Sequence, residues 1–141
     1  MSALNSSAKP IVLIAEDDLD DKFLLEMSFR DFEDSLEVKF VKDGEELMEY
    51  LRDQQSCSRL GLILLDLNMP KIDGWQALRE IKGDLKDVPI VIWTTSNEEE
   101  DKDFCVNAGA AEYVTKPGNF LDLDAAIKKI VKTWLPNSPS A

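Results

Sequence analysis

The chain has 141 residues, of which 44% are hydrophobic and 31% are charged, and this suits one globular domain with its own core. Acidic residues outnumber basic ones by 28 to 16, and the net charge of −12 disfavours binding to nucleic acid or to an anionic membrane. Histidine is absent, which excludes a Ser-His-Asp triad, a histidine-ligated metal and a phosphohistidine on this chain.

The two ends differ in composition from the rest of the chain. We expect a flexible N-terminal arm over residues 1–9, one domain over residues 10–135, and a flexible tail rich in Pro and Ser over residues 136–141. The N-terminus does not resemble a signal peptide, and no apolar run approaches the roughly 20 residues of a membrane span. Cys57 and Cys105 lack CxxC spacing and are predicted to be reduced thiols. We therefore expect a cytoplasmic protein.

Short apolar runs alternate with amphipathic segments along the chain. The predicted strands, in chain order, are Ile11–Ala15, Glu37–Val41, Leu60–Leu65, Val88–Trp93 and Ala111–Thr115. The first and third are apolar throughout, which is typical of strands that are buried on both faces.

A helix is predicted after each strand. The residues predicted to open the first four helices are Asp20 with Asp21, Asp43, Asp73 and Asn97. The first helix carries its apolar residues at helical spacing: Phe23, Leu24, Met27 and Phe32. Gly109 is predicted to end the fourth helix, and the stripe from Leu123 to Trp134 marks the fifth.

Five such units predict an α/β fold with a doubly wound, five-stranded parallel sheet. The common strand order for five units is 2-1-3-4-5, the flavodoxin-like (βα)5 arrangement. In this order the winding reverses between strands 1 and 3, so functional residues are expected at the carboxyl ends of those strands.

Both of these strand ends are acidic. Glu16, Asp17 and Asp18 follow the first strand, and Asp66 follows the third. Taken alone, the triplet fits a solvated helix start equally well. Together, four carboxylates near one crevice would repel one another unless a hard divalent cation joined them, and magnesium is the usual one.

A hydroxyl and an ammonium follow the other two strands. Thr94 comes at the end of strand 4, and Lys116 follows strand 5. A phosphoryl group on Asp66 would need both, because Lys116 and Mg²⁺ would neutralise its oxygens while Thr94 donated a hydrogen bond. Each residue is ordinary alone, and the interpretation depends on the agreement of four strand ends.

Over roughly residues 10–135 the chain resembles the response-regulator receiver family. The matching residues are Glu16-Asp17, Asp66-Leu67-Asn68-Met69-Pro70, Asp73-Gly74, Thr94 and Lys116-Pro117. The resemblance implies a phosphoacceptor signalling protein that catalyses only its own phosphotransfer and dephosphorylation. Asp66 would accept the phosphoryl group, and the ligands of Mg²⁺ would be Glu16, Asp17, Asp66 and the backbone carbonyl of Asn68.

The resemblance also implies a switch and its loops. Thr94 would be the switch hydroxyl, Lys116 the partner of the phosphoryl oxygens, and Tyr113 the switch aromatic residue. Met69 and Pro70 would form the loop after the acceptor, and the Lys116–Pro117 peptide bond would be cis.

A narrower resemblance concerns partners. Residues 65–70, residues 94–101 and the ending Thr133-Trp134-Leu135 are similar to stand-alone receivers that serve bacterial and cyanobacterial phytochrome histidine kinases. This implies a single-domain response regulator of a two-component phosphorelay. Its phosphoryl donor would be a histidine kinase, such as a phytochrome, and its signal would be phosphorylation-dependent binding to an unidentified downstream protein.

Such receivers are expected to dimerise. The fourth helix, fifth strand and fifth helix carry both signs of charge, from Glu98 to Asp101 and at Lys128, Lys129 and Lys132. Mixed charge on one face favours a two-fold homodimer. Phe104 and Trp134, in the same region, are predicted to pack in the core.

Three other functions compete with the receiver interpretation. Asp18-Leu19-Asp20 has the DxD spacing of phosphatases that form an aspartyl phosphate, but that reading leaves Asp66, Thr94 and Lys116 unexplained. A flavodoxin-like electron carrier would need a hydroxyl- and glycine-rich loop where the acidic triplet lies. A receiver-like domain that only binds partners would not need the acceptor, the hydroxyl and the lysine together.

Overall fold

The structure is a computed structural model that describes residues 9–67, 74–85 and 87–135; of residues 54, 56, 75 and 84 it describes the backbone alone. One parallel sheet has the strand order β2-β1-β3-β4-β5. Its strands are β1 (Ile11–Ala15), β2 (Glu37–Val41), β3 (Leu60–Leu65), β4 (Ile90–Thr94) and β5 (Glu112–Thr115). The predicted α/β fold and strand order are confirmed.

Five main helices connect and follow the strands. They are α1 (Leu19–Phe29), α2 (Gly44–Arg52), α3 (Gly74–Asp84), α4 (Glu99–Asn107) and α5 (Phe120–Trp134). A 3₁₀ turn at Arg30–Phe32 extends α1, and a one-turn helix at Gln54–Cys57 precedes β3. Within the described residues, no helix has both the length and the apolar character that a membrane span requires.

The core lies on both faces of the sheet, since successive residues of a strand point to opposite sides. On one face, Leu13, Ile63 and Ile92 pack with α2, α3 and α4 residues such as Leu47 and Leu78. The other face packs against α1 and α5, and its members include Ile14, Leu64, Trp93, Leu25 and Ile127. All five residues of β1 are buried, which explains why its sequence is apolar throughout.

The first helix starts differently from the sequence prediction. Asp18 is its N-cap, and the Asp18 carboxylate accepts a hydrogen bond from the Asp21 backbone N–H at 2.9 Å. The helix therefore begins at Leu19, one residue earlier than predicted. The buried face also differs from the predicted stripe: Phe23 is 56% exposed, whereas Leu25 and Phe29 are buried.

The start of α4 also differs. The residue before the helix is Glu98, which makes no side-chain cap bond, and the predicted cap Asn97 instead accepts a hydrogen bond from the Thr115 hydroxyl at 3.3 Å. Gly109 ends this segment with a φ of 105°, as its position predicts. Asp73 lies outside the described residues.

Two further details correct or refine the sequence prediction. The Lys116–Pro117 peptide bond is trans, as are all other peptide bonds among the described residues, so the implied cis bond is not found. Cys57 and Cys105 are both free thiols, as predicted.

Candidate functional site

The register of the sheet brings Asp66 and Glu16 to one edge. Ala15, the last residue of β1, pairs with Val41 on one side and Leu65 on the other. The Asp66 backbone N–H donates to the Ala15 carbonyl at 3.2 Å. Both acidic side chains are consequently buried, with 4% of Asp66 and 2% of Glu16 exposed.

Three carboxylates meet at this edge. One oxygen each from Glu16, Asp17 and Asp66 lies within 4.8 Å of the others, with Asp17 on the exposed side. A compact set of carboxylate oxygens is the donor set that a hard divalent cation prefers, so these residues fit the predicted metal site. Asn68, Met69 and Pro70, predicted to complete the metal site and its loop, lie outside the described residues.

Lys116 reaches the same place from the end of β5. Its backbone N–H donates to the Thr94 carbonyl at 2.6 Å, which fixes the start of the side chain beside β4. Its Nζ lies 2.7 Å from Glu16 Oε1, 2.9 Å from Asp21 Oδ2 and 3.1 Å from Asp66 Oδ2. The structure therefore brings the Lys116 ammonium beside the Asp66 carboxylate, as the order of the strands predicts.

Burial and charge act in opposite directions on these groups. Burial raises the pKa of Glu16 to about 7, although Lys116 and the Asp18 N–H lower it. For Lys116, burial alone would lower the pKa. Its hydrogen bonds to Glu16 and Asp21 and the charge of Asp66 outweigh burial and raise it. The Lys116 ammonium is thus stabilised as a cation, and the raised pKa of Glu16 means that its carboxyl group keeps a proton to higher pH than an ordinary glutamate does.

The switch candidates meet at the loop after β4. Thr94 is fully buried at the end of that strand, and its Oγ1 accepts a hydrogen bond from the Ser96 N–H at 3.4 Å. The Tyr113 hydroxyl donates to the Ser96 carbonyl at 3.0 Å, and the Thr115 hydroxyl reaches the same oxygen at 3.3 Å. Ser96 therefore connects Thr94 to Tyr113 through its own backbone.

Three residues of this arrangement were not assigned a role from the sequence. The sequence predicts Asp21 only as part of a helix start, whereas the structure places its carboxylate 2.9 Å from Lys116 Nζ. Thr115 lies two residues after Tyr113, so the alternation of a strand puts both side chains on one face. No local signal distinguishes Ser96 from Thr95 as the residue that both hydroxyls contact.

The charges of the last helix do not all lie where predicted. Lys128 Nζ is 2.8 Å from Asp124 and 3.1 Å from Asp31, so it bridges α5 to the region of α1. It is therefore not part of a face formed by α4, β5 and α5. The prediction that Phe104 packs in the core is also wrong, because 43% of Phe104 is exposed.

These features define a parallel α/β domain with a buried aspartate, Asp66, beside two further carboxylates and a lysine. The sequence model described as the response regulator receiver domain matches residues 12–128. The chain therefore belongs to the response regulator receiver domain family of two-component signalling.

Individual relatives agree with this family. The chain is 35% identical over 135 residues to the response regulator Rcp1 of Synechocystis sp., and the alignment covers 92% of each protein. It is also similar to the phosphorylated cyanobacterial phytochrome response regulator RcpA, with a TM-score of 0.83 and 34% identity over 94% of this chain and 98% of that one.

A solved relative also carries a metal. The Mn²⁺-bound form of Rcp1 has a TM-score of 0.80 and 31% identity over 94% of this chain and 99% of that one. Divalent-metal binding in that relative agrees with the oxygen cluster of Glu16, Asp17 and Asp66.

Proposed function

We propose that Asp66 accepts a phosphoryl group from the phosphohistidine of a histidine kinase. The observation that carries this proposal is a buried Asp66 carboxylate 3.1 Å from the Lys116 ammonium and beside the oxygens of Glu16 and Asp17. A carboxylate beside a lysine ammonium and a set of oxygens that fit a divalent cation is suited to receive a highly charged group.

In this reaction the protein itself forms and breaks only one covalent bond, the one between Asp66 and phosphorus. An oxygen of Asp66 forms a bond to phosphorus while the bond from phosphorus to the histidine nitrogen breaks, and that nitrogen keeps the electron pair. The signal ends by hydrolysis: a water oxygen bonds to phosphorus, the bond between phosphorus and the Asp66 oxygen breaks, and inorganic phosphate is released. The domain supplies position and charge for both steps.

Magnesium is the metal that we propose for this site. Glu16, Asp17, Asp66 and the carbonyl of Asn68 would hold it, with Glu16 reaching it through water. When bound, it supplies positive charge to the phosphoryl oxygens. An Asp17→Asn variant should lose most of its magnesium affinity in a titration. Asp20→Asn is the control: it removes an exposed carboxylate near the site and should keep the affinity.

We propose that the switch runs through the Ser96 backbone. A phosphoryl group on Asp66 would attract the Thr94 hydroxyl, which now accepts from the Ser96 N–H. The Ser96 carbonyl is also the acceptor of Tyr113 and Thr115, so a movement of this residue would change both contacts. The output would then be a shift between two loop arrangements that a partner protein distinguishes.

The partners follow from the relatives. Similarity to the phytochrome response regulators Rcp1 and RcpA supports a phytochrome histidine kinase as the phosphoryl donor, which would place the protein in the cytoplasm.

We further propose a homodimer through α4, β5 and α5. Phe104 and Val106 expose apolar surface on α4, with 43% and 58% of each residue exposed. The Trp134 indole N–H donates to Glu112 at 2.9 Å, which ties α5 to β5 in this face.

Phosphorylation is tested with acetyl phosphate and magnesium. Wild-type protein should gain one acid-stable, base-labile phosphoryl group, observed as a mass increase of one phosphate. Asp66→Asn should gain none, while Asp18→Asn should be labelled like wild type because Asp18 serves as a helix cap. Full labelling of Asp66→Asn would contradict the assignment, and loss of labelling in Asp18→Asn alone would favour the phosphatase alternative.

The dimer is tested by sedimentation with and without beryllofluoride. Wild type should shift toward a dimer when the phosphate mimic is added, and Phe104→Asp should abolish that shift. Phe23→Asp is the matched control, since Phe23 is also an exposed phenylalanine but lies on α1. A monomer in both states at high concentration would rule out the dimer without touching the receiver assignment.

A further inference from the structure

The Lys116 ammonium has an acidic partner outside the carboxylate cluster of Glu16, Asp17 and Asp66. Asp21 lies in the first turn of α1, and its Oδ2 accepts a hydrogen bond from Lys116 Nζ at 2.9 Å. The Asp21 side chain is 33% exposed, whereas the Lys116 side chain is only 9% exposed. This contact joins α1 to the end of β5 across 95 residues of sequence.

The hydrogens of Lys116 are limited in number. An ammonium has three N–H groups, and three carboxylates surround this one within 3.1 Å: Glu16, Asp21 and Asp66. A phosphoryl oxygen on Asp66 needs one of these hydrogens. Glu16 belongs to the oxygen cluster that fits a cation, and Asp66 itself carries the phosphoryl group. Asp21 is the remaining competitor among the described residues that contact Lys116.

We propose that Asp21 is a positioning residue for phosphoryl transfer to Asp66. It holds the Lys116 ammonium toward α1 and offsets part of the positive charge that an incoming phosphoryl group meets. The inference rests on the proposed function of Asp66. Its consequence is that the Asp21 carboxylate slows phosphorylation, so that the resting domain is protected from small phosphoryl donors.

The test is the rate of labelling by acetyl phosphate at fixed magnesium. Asp21→Asn keeps the size of the side chain and a hydrogen-bonding oxygen but removes its charge. Its labelling rate should rise about fivefold, the scale expected for removing one unit charge a few ångströms away that solvent screens almost as strongly as bulk water does, since one third of the Asp21 side chain is exposed. Asp21→Glu, which restores the charge, should return the rate to within about twofold of wild type, well below that rise.

Asp20→Asn is the matched control. Asp20 is an exposed acid in the same first turn of α1, and it shares with Asp21 any favourable interaction with the helix dipole. If Asp21 acted only on the helix dipole, Asp21→Asn and Asp20→Asn would both change the unfolding midpoint, and neither would change the labelling rate. An equal rise in Asp20→Asn, no rise in Asp21→Asn, or a fast Asp21→Glu would each overturn the inference.

The same experiment separates this inference from the function on which it rests. If wild type is not labelled, or if labelling survives in Asp66→Asn, the proposed function is wrong and the role of Asp21 is lost with it. If labelling requires Asp66 and the Asp21 variants match wild type, only the role of Asp21 is wrong.

Discussion

Replacing Lys116 with methionine removes the charge that compensates three carboxylates. Glu16 and Asp66 are almost completely buried, and both lie within 3.1 Å of the ammonium. Removing one partner from a buried ion pair typically costs about 3–5 kcal/mol of unfolding free energy. Asp21 is one third exposed and adds little because solvent screens it, so we expect about 3 kcal/mol. For a chain of this length that corresponds to a fall of about 10 °C in the unfolding midpoint.

The assay is thermal unfolding followed by circular dichroism in EDTA and in millimolar magnesium. Magnesium should raise the midpoint of Lys116→Met more than that of wild type, because the cation replaces the missing positive charge near Glu16 and Asp66. Lys128→Met is the control: Lys128 also contacts two carboxylates, but its side chain is 44% exposed and should matter much less. The reasoning would be refuted if both variants lost the same stability, or if Lys116→Met were as stable as wild type in EDTA.

Three further predictions concern pH, the switch hydroxyl and its loop. The pKa of Glu16 is raised to about 7 in the folded chain, so the folded state binds more protons than the unfolded state between about pH 4.5 and 7. Metal-free stability should therefore fall as pH rises through this window, by at most about 3 kcal/mol, and Glu16→Gln should flatten the profile in denaturant titrations. Thr94→Ala should still be phosphorylated on Asp66 but should lose the beryllofluoride-dependent change in sedimentation; a wild-type response would remove Thr94 from the switch. Tyr113→Phe should lose its hydrogen bond to Ser96 and about 1 kcal/mol of unfolding free energy, while an unchanged value would mean that the contact does not form in solution.

The fold was predictable because its signals are local and repeated. The run from Ile11 to Ala15 is apolar at every position, and the structure buries every one of these residues. Asp43 caps α2 as its sequence predicts, with the Glu46 N–H as donor at 2.8 Å. The order 2-1-3-4-5 was predicted as the common one for five strand–helix units, and the structure has it.

The meeting of Asp66, Glu16, Asp17 and Lys116 was predictable for the same reason, since these residues follow the ends of strands. Parallel strands end at one edge of a sheet, so residues far apart in sequence meet there. What could not be predicted is which neighbouring element a long side chain reaches across the fold. Lys116 reaches Asp21 as well as Asp66, and Lys128 turns toward Asp31. These contacts depend on how α1 sits against α5, which no local pattern specifies.

The site combines a backbone that the sheet holds in place, at Asp66, with side-chain hydrogen bonds at Lys116 and Ser96 that a new charge could rearrange. The Asp66 N–H donates to the Ala15 carbonyl, and Asp66 follows a strand that pairs with neighbours on both sides, so the Asp66 backbone has little room to move. By contrast, the Lys116 ammonium is shared among three carboxylates, and Ser96 is held by hydrogen bonds from side chains. A new phosphoryl group would redistribute these polar contacts without disturbing the packed core on either face of the sheet. The change would therefore travel along β5 toward α4, and the exposed apolar surface of α4 is where a partner could detect it.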